Sequence, residues 1–255
     1  LLGWLLLIPE DFRTVGINIS SSMIFVSNVI YWIRTGSYFD SASHENWLLH
    51  TWSLSVEWQF YLLYPIILVF ICKYFARHML NRCIIMLTCT SLVLSMFISA
   101  SQPSIAFYLL PTRAWEMLAG GLIFLYPIKL TGVQSKALET LGLLIIAFSV
   151  FYFSSSDIWP GSFAMTPVLG TMLVICASNT KSLITNNKIT NWLGKTSYSV
   201  YLWHWPIVVL LNYLNLISSP TAIISGLIVS LGLGHYSYVF IECKSQLILK
   251  QYRSQ

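Results

Sequence analysis

Charged residues are scarce in this 255-residue chain, where lysine, arginine, aspartate and glutamate together make up only 9%. Ordinary soluble domains carry about 25% charged residues. The 14 basic and 9 acidic side chains therefore cannot cover one or two soluble domains of this size. No repeat period and no low-complexity segment stands out. The composition thus also excludes a disordered chain, a coiled coil and collagen.

Cysteine is also scarce, and the pattern of the five cysteines excludes two further classes. The five cysteines are odd in number and form no CxxC motif or Cys/His pairing, so we expect neither a disulfide framework nor a zinc or other metal site. They fall within apolar runs or at their ends, where a thiol packs as a small hydrophobic group. They are Cys72, Cys83, Cys89, Cys176 and Cys243.

What the chain has instead is apolar sequence: 56% of its residues are hydrophobic and the mean hydropathy is +0.70. Its apolar runs approach the roughly 20 residues that a helix needs to cross a bilayer. We therefore predict an all-α fold, a polytopic transmembrane helix bundle with about eight full spans plus one truncated span. The full spans are predicted at residues 17–33, 52–75, 83–100, 105–126, 138–153, 163–177, 197–216 and 221–241.

The start of the sequence predicts an incomplete chain. Residues 1–8 are apolar but too short to span a membrane, and they show neither the positive charge nor the cleavage site of a signal peptide. We interpret them as the end of a truncated helix. Residues 1–243 are then a transmembrane domain lacking its N-terminal part, and residues 244–255 are a basic cytoplasmic tail.

The positions of the basic residues predict the orientation. Alternating crossings place 12 of the 14 lysines and arginines on one side, which the positive-inside rule identifies as the cytoplasm, together with the C-terminus. The net charge of +5 therefore reports topology, and no nucleic-acid partner is expected. The twelve are Arg13, Lys73, Arg77, Arg82, Lys129, Lys136, Lys181, Lys188, Lys195, Lys244, Lys250 and Arg253.

Three charged residues lie well inside predicted spans, away from the span ends, where each needs a partner or a task. Arg113 and Glu116 are three residues apart, so an ion pair on one helical face can neutralise both. That pair could be purely structural, or Arg113 could also hold an anionic substrate group. Glu57 has no opposite charge in its own helix and suits a general acid or base, with a helix-bridging hydrogen bond as the alternative.

Residues 48–65, LLHTWSLSVEWQFYLLYP, interleave polar and aromatic side chains where a helix enters the membrane from outside. Part of this pattern is an interfacial aromatic belt, but the belt does not require its polar members. We predict a polar pocket that opens outward. Within this segment, we assign five residues to substrate binding: His50, Trp52, Ser55, Gln59 and Tyr61.

The histidines outside this segment give weaker signals. A lone histidine inside a span, such as His204, is more often structural than functional, and the solvated His44 needs no special role.

Residues 48–65 resemble the signature of the acyltransferase-3 family of integral membrane O-acyltransferases, the O-antigen acetylase type, whose usual form reads close to LLHTWSLSVEEQFYLLYP. Residues 108–121, YLLPTRAWEMLAGG, and residues 192–207, WLGKTSYSVYLWHWPI, agree with the same family. The earlier stretches PEDFRTVG and GSYFD are similar to segments of the family and occur in the same order. The resemblance covers nearly the whole chain.

The resemblance implies an enzyme of about ten helices in the bacterial inner (cytoplasmic) membrane. It implies transfer of an acyl group, commonly acetyl, from cytoplasmic acetyl-CoA or another acyl-CoA to a sugar hydroxyl of an envelope polysaccharide or lipopolysaccharide. Expected partners are membrane lipid, the glycan acceptor and the acyl-CoA donor, with no bound cofactor. Glu57, Arg113 and Glu116 match family positions and are the predicted catalytic residues, lining a polar channel. Tyr198 and His204 match further positions and are assigned to substrate binding.

The chain departs from the family pattern in two ways. Trp58 stands where the family usually has a second glutamate, so acid–base chemistry would rest on Glu57 alone. The arginine and the catalytic histidine that the family carries in its first helices do not occur in this sequence, so we expect this fragment by itself to be inactive. A C-terminal hydrolase-like domain, found in many relatives, is also absent from it.

Two other classes remain as alternatives. A polytopic transporter or permease for a glycan or small anion would also use intramembrane glutamate and arginine, and would show two similar halves. No such internal symmetry is visible. A purely structural scaffold leaves the membrane-embedded charges unexplained.

Overall fold

The computed structural model describes residues 9–34, 46–75, 79–154 and 157–253, and these residues form helices and connecting turns without any strand. The predicted all-α helical class is confirmed. The predicted truncated helix at residues 1–8, together with His44, Arg77 and the GSYFD stretch, lies outside the described residues. The helices are α1 Pro9–Met23, α2 Ser27–Arg34, α3 Thr51–Tyr74, α4 Met79–Ser101, α5 Pro103–Tyr108, α6 Leu110–Leu125, α7 Gly132–Tyr152, α8 Met165–Ala177, α9 Lys188–Tyr213, α10 Pro220–Ser237 and α11 Cys243–Arg253.

Four of these helices are long and apolar enough to cross a membrane, among the residues that the structure describes. They are α3, α4, α7 and the continuous stretch of 32 residues from Pro220 to Gln251, which runs from α10 through a π-helical turn at Tyr238–Glu242 into α11. The described part of the predicted basic tail is therefore helical. The prediction of a multi-pass membrane protein is confirmed, while the count of eight spans stays a prediction.

Two predicted spans are not continuous helices. The span at 17–33 is divided between α1 and α2 at Phe25, whose φ of 55° lies in the left-handed region. The span at 105–126 is divided between α5 and α6 at Leu109, which is extended. A helix interior excludes both conformations. Hydropathy alone could not show these breaks, because the residues around them are apolar.

Local sequence explains where several helices begin. Proline occupies the first turn of α5, α6 and α10, where the missing N–H costs no hydrogen bond. Capping boxes start α7, with Thr131 and Gln134, and α9, with Asn187 and Thr190.

The chain divides into two compact units. One comprises Leu1–Ile19, Ser41–Thr51 and Leu183–Gln255, and the other comprises Ser20–Asp40 and Trp52–Ser182. We call them the terminal unit and the central unit. In the terminal unit, α9 packs against α10. In the central unit, α4 packs against α5 and α6, α6 against α8, and α7 against α8.

Candidate functional site

The Arg113–Glu116 pair of the central unit is the candidate site. Arg113 Nη2 lies 3.1 Å from Glu116 Oε2, on one face of α6, as the spacing of three residues predicts. The side chains are only 17% and 21% exposed, respectively. The predicted ion pair is therefore present, and it is largely shielded by protein.

Aromatic rings surround the guanidinium group. The Arg113 Cζ atom lies 5.5 Å from the centroid of a Trp52 ring and 5.6 Å from that of Phe107. Both aromatic side chains are buried, Trp52 on α3 and Phe107 on α5. Cations are attracted to ring faces at such distances, and Arg is the cation most often found there. Residues from three helices thus place this positive charge.

Three polar atoms at the site have no hydrogen-bond partner among the described residues. Arg113 Nη1, Glu116 Oε1 and Trp115 Nε1 are buried and have no hydrogen-bond partner among the residues that the structure describes. Leaving buried polar groups unpaired costs about 1–3 kcal/mol each, and more for charged groups. Two donor atoms and one acceptor atom at the site are therefore unpaired within the described residues.

A cleft reaches Glu116 from one side. Its volume is about 200 Å³, and it lies between α6 and α8. Glu116 and Gly120 line it from α6, and the facing wall of α8 includes Pro167, Thr171 and Met172. Glu116 thus lies in the wall of a mainly apolar groove.

The α5–α6 break holds this site in place. The Thr112 hydroxyl lies within hydrogen-bonding distance of the carbonyls of Ala106, at 2.9 Å, and Leu109, at 2.8 Å. Asn28 of α2 donates from Nδ2 to the carbonyl of Tyr108 at 3.1 Å. Ala106 and Tyr108 end α5, and these polar side chains pair with the carbonyls of both residues, which the interrupted helix leaves without an intrahelical partner. Sequence reasoning missed Thr112 and Asn28; the only signal was a small polar residue inside an apolar run.

Glu57 lies on an exposed part of α3 and makes no hydrogen bond or ion pair with the described residues. It therefore has no protein partner in this part of the chain. We expected Glu57 to line one channel with Arg113 and Glu116, and the structure pairs only the latter two. The catalytic role of Glu57 stays a prediction.

Ser55 and Gln59 contact the α1–α2 break. Gln59 Nε2 donates to the carbonyl of Phe25 at 2.9 Å and to Asn28 Oδ1 at 2.8 Å. The hydroxyls of Ser55 and Ser27 are 2.7 Å apart. The two predicted substrate-binding residues thus stabilise an interrupted helix, and the structure adds no ligand role to this. Of the other predicted residues on α3, Trp52 contacts Arg113 as described, and Tyr61 is 59% exposed.

Trp58, the departure from the family pattern, stacks on Phe25 with ring centroids 4.6 Å apart. The stacking contributes apolar contact at the residue that interrupts the helix. A glutamate at this position could not make it. The structure therefore explains this residue as part of the helix break.

A second polar cluster lies in the terminal unit. The ring centroids of His50 and His204 are 5.6 Å apart. Tyr201 donates its hydroxyl proton to the carbonyl of His50, and Trp205 Nε1 donates to the carbonyl of Asn46 at 2.8 Å. The structure therefore brings His50 and His204 together, and their assignment to substrate binding stays a prediction. Tyr198, the third predicted residue of this unit, is half-exposed on α9.

The environment of His50 favours a neutral ring. Burial, and secondarily the neighbouring His204, lower the pKa of the His50 imidazole from 6.5 to about 3. At neutral pH, His50 is therefore an uncharged hydrogen-bonding group.

We expect His50 to make the protein acid-sensitive. Its folded-state pKa is depressed, so the folded protein binds fewer protons than the unfolded chain, and stability falls as the pH decreases from about 6.5 towards 3. The loss is at most about 1.4 kcal/mol per pH unit for one proton. Thermal unfolding of detergent-solubilised full-length protein measures it, and His50→Gln should show a shallower decline than the wild type. Parallel declines would contradict the assignment.

No group of three His, Cys, Asp or Glu side chains within the described ranges could hold a metal ion. The five cysteines are all free thiols in the structure.

Helices long enough to cross a membrane, together with a shielded guanidinium–carboxylate pair, define a multi-pass membrane protein with a polar site among its helices. The acyltransferase domain family matches residues 16–238, and the chain belongs to that family. The recognition of an acyltransferase-3 protein from three sequence motifs is thereby confirmed.

Relatives of known name agree with this assignment. The chain is 30% identical to the "Peptidoglycan O-acetyltransferase OatA" of Listeria monocytogenes over 229 residues, which is 83% of this chain and 37% of that protein. It is 30% identical over 261 residues to the "Putative peptidoglycan O-acetyltransferase YrhL" of Bacillus subtilis, covering 94% of this chain and 41% of the relative. It is 28% identical to the "Putative membrane-bound transacylase BcsY" of Komagataeibacter xylinus, covering 95% and 62%, respectively.

The chain therefore spans well under half the length of the first two relatives and somewhat less than two thirds of the third. No solved structure matches it.

Proposed function

We propose that the whole protein is a membrane O-acyltransferase that moves an acyl group, in the simplest case acetyl, from cytoplasmic acyl-CoA to a sugar hydroxyl of a cell-envelope polysaccharide. Peptidoglycan is the acceptor named for two of the relatives and lipopolysaccharide is a second polysaccharide of the envelope. Membership of the acyltransferase family favours this function over the transporter alternative.

The observation that carries the proposal is the Arg113–Glu116 pair with its unused hydrogen-bonding atoms. Arg113 Nη1 can donate to the acyl carbonyl oxygen, which gains negative charge as the nucleophile attacks. Glu116 Oε1 can accept from a hydroxyl or amide N–H and fix the orientation of the substrate. The pair therefore supplies both an electrostatic and a positioning contribution.

The reaction is an acyl exchange. The sugar hydroxyl oxygen bonds to the carbonyl carbon, the carbon–sulfur bond of the thioester breaks, and the thiolate leaves. The hydroxyl proton passes to a general base and ends on the leaving thiol. Glu57 is our candidate for this acid–base work within the chain, alongside the histidine that the family resemblance places in preceding helices.

Arg13 of α1 and the basic residues near the ends of later helices support a location in the bacterial cytoplasmic membrane with the C-terminus in the cytoplasm. That orientation places the basic side of the protein where cytoplasmic acyl-CoA is available. The partners in this scheme are acyl-CoA, the glycan and membrane lipid, and no bound cofactor takes part.

Transfer of labelled acetyl from acetyl-CoA to envelope glycan, in membranes that contain the full-length protein, tests the function. We expect Glu57→Gln to lower transfer by about 10²- to 10⁴-fold, the usual contribution of one general acid or base. Glu10→Gln, which changes an exposed carboxylate at the start of α1, is the matched control and should retain activity.

Full transfer by Glu57→Gln would rule out a chemical role for that carboxylate. A wild-type protein that carries solute across proteoliposomes and labels no glycan would support the transporter instead.

A further inference from the structure

Ser91 of α4 makes an unusual contact with the helix that carries the candidate site. Its hydroxyl donates to the carbonyl of Pro111 at 2.6 Å and accepts from the backbone N–H of Trp115 at 3.0 Å. Ser91 is only 7% exposed. One hydroxyl of α4 therefore bridges two backbone groups of α6.

The two bridged groups are separated by four residues. An α-helix pairs the carbonyl of one residue with the N–H of the fourth residue along, so Pro111 and Trp115 are the pair that regular geometry would join. A side chain inserted at such a point in the helical ladder changes the local bend of the helix. The Ser91 hydroxyl therefore contacts both ends of one turn of α6, at a point where a side chain can bend a helix.

That turn carries the site. Arg113 lies between the two bridged residues, and Glu116 directly follows Trp115. The rings that surround the guanidinium belong to other helices, Trp52 to α3 and Phe107 to α5. A change in this turn would consequently move Arg113 and Glu116 relative to the rings.

We propose that Ser91 is a positioning residue for acyl transfer, which sets the geometry of Arg113 and Glu116 through the turn that it bridges. This inference rests on the proposed function of that pair. Ser91 itself touches neither side chain of the pair through a hydrogen bond.

The role differs from ordinary structural support. When alanine replaces Ser91, the carbonyl of Pro111 and the N–H of Trp115 can pair directly with each other, so neither is left without a partner. The fold therefore tolerates the loss of the hydroxyl, whereas the position of the site changes. A misplacement of about 1 Å in a catalytic constellation can lower the rate by about 100-fold.

Ser91→Ala, Ser91→Thr and Ser95→Ala form the test set, in the full-length protein. Threonine keeps the hydroxyl, and a cleft of about 240 Å³ that Ser91 lines beside Leu87 and Leu94 has room for its methyl group. Ser95 is the matched control, because it lies one turn further along α4, is fully buried, and its hydroxyl has no hydrogen-bond partner in the described ranges.

We expect Ser91→Ala to lower kcat for acetyl transfer by about 10- to 100-fold with little change in KM, while its Tm in detergent stays at or above the wild-type value. Ser91→Thr should restore most of kcat, and Ser95→Ala should resemble the wild type. A merely structural serine would lower the Tm and leave kcat per folded molecule unchanged. Unchanged kcat in Ser91→Ala, or equal losses in Ser91→Ala and Ser95→Ala, would overturn the proposal.

A readout independent of activity separates this inference from the proposed function. The side-chain ¹⁵N–¹H resonances of Arg113 respond to the rings of Trp52 and Phe107. They should move in Ser91→Ala and stay in place in Ser91→Thr and Ser95→Ala. If the wild type transfers no acetyl, the proposed function fails. The Arg113 resonances would then still test, without any activity measurement, whether Ser91 positions Arg113. Resonances that stay in place in Ser91→Ala would refute it.

Discussion

Arg113→Met is expected to reduce acyl transfer by about 10²- to 10³-fold, the usual effect of removing one donor to a developing oxyanion. The variant should also be destabilised. Removing one partner of a fully buried ion pair costs about 3–5 kcal/mol, and the cost here is smaller because about a fifth of each side chain is exposed. Transfer to glycan, normalised to folded protein, measures the first effect, and the Tm in detergent measures the second.

The double variant Arg113→Met/Glu116→Leu separates catalysis from structure. Replacing both members of a shielded pair with apolar side chains of similar size is often neutral or stabilising. The double variant should therefore recover the Tm that Arg113→Met loses, and its transfer should stay reduced by about 10²- to 10³-fold. Arg13→Met, at an exposed position of α1, is the control for loss of one arginine. A double variant that transfers acetyl at the wild-type rate would show that the pair has only a structural role within α6.

Gly142→Leu is expected to prevent α7 and α8 from packing, and to give little or no folded protein. A Cβ atom at Gly142 would lie 2.6 Å from the carbonyl oxygen of Gly170 and 2.8 Å from Val174 Cγ2. The first contact is with backbone, which cannot rotate away. Small residues permit such close approach between membrane helices.

The milder substitution Gly142→Ala allows the loss of stability from this close contact to be measured. Alanine favours a helix by about 1 kcal/mol over glycine, but overpacking typically costs about 1–3 kcal/mol. We expect a net loss of stability. Gly132→Ala in the same helix is the control, since nothing lies within 4 Å of a Cβ atom there. The yield of monodisperse protein and its Tm measure both variants, and an equal or higher Tm for Gly142→Ala would contradict the packing argument.

Much of the candidate site could be predicted from local sequence. Arg113 and Glu116 had to share a helical face because they are three residues apart, and the structure shows them paired. The assignment of both to a polar site followed from the cost of a charge inside an apolar run. The spacing could not show which atoms of the pair would stay unused.

Other features depended on contacts between distant residues. The role of Gln59 in substrate binding stays a prediction, and the structure shows that this side chain donates to Phe25 and Asn28, which lie about 30 residues earlier in the chain. Ser91 attracted no attention in the sequence, because one serine in an apolar helix has many possible explanations. Its partners on α6 become visible only once α4 and α6 are packed together.

Composition, apolar run length and three motifs are enough to identify a helical membrane protein of the acyltransferase family, since all three are properties of the unfolded chain. Packing of the folded chain is needed to show where the helices break, which polar atoms at the site stay unpaired, and that Glu57 has no protein partner among the described residues. The physical reason is that hydropathy depends on each residue alone, whereas a hydrogen bond between helices depends on how two distant segments pack.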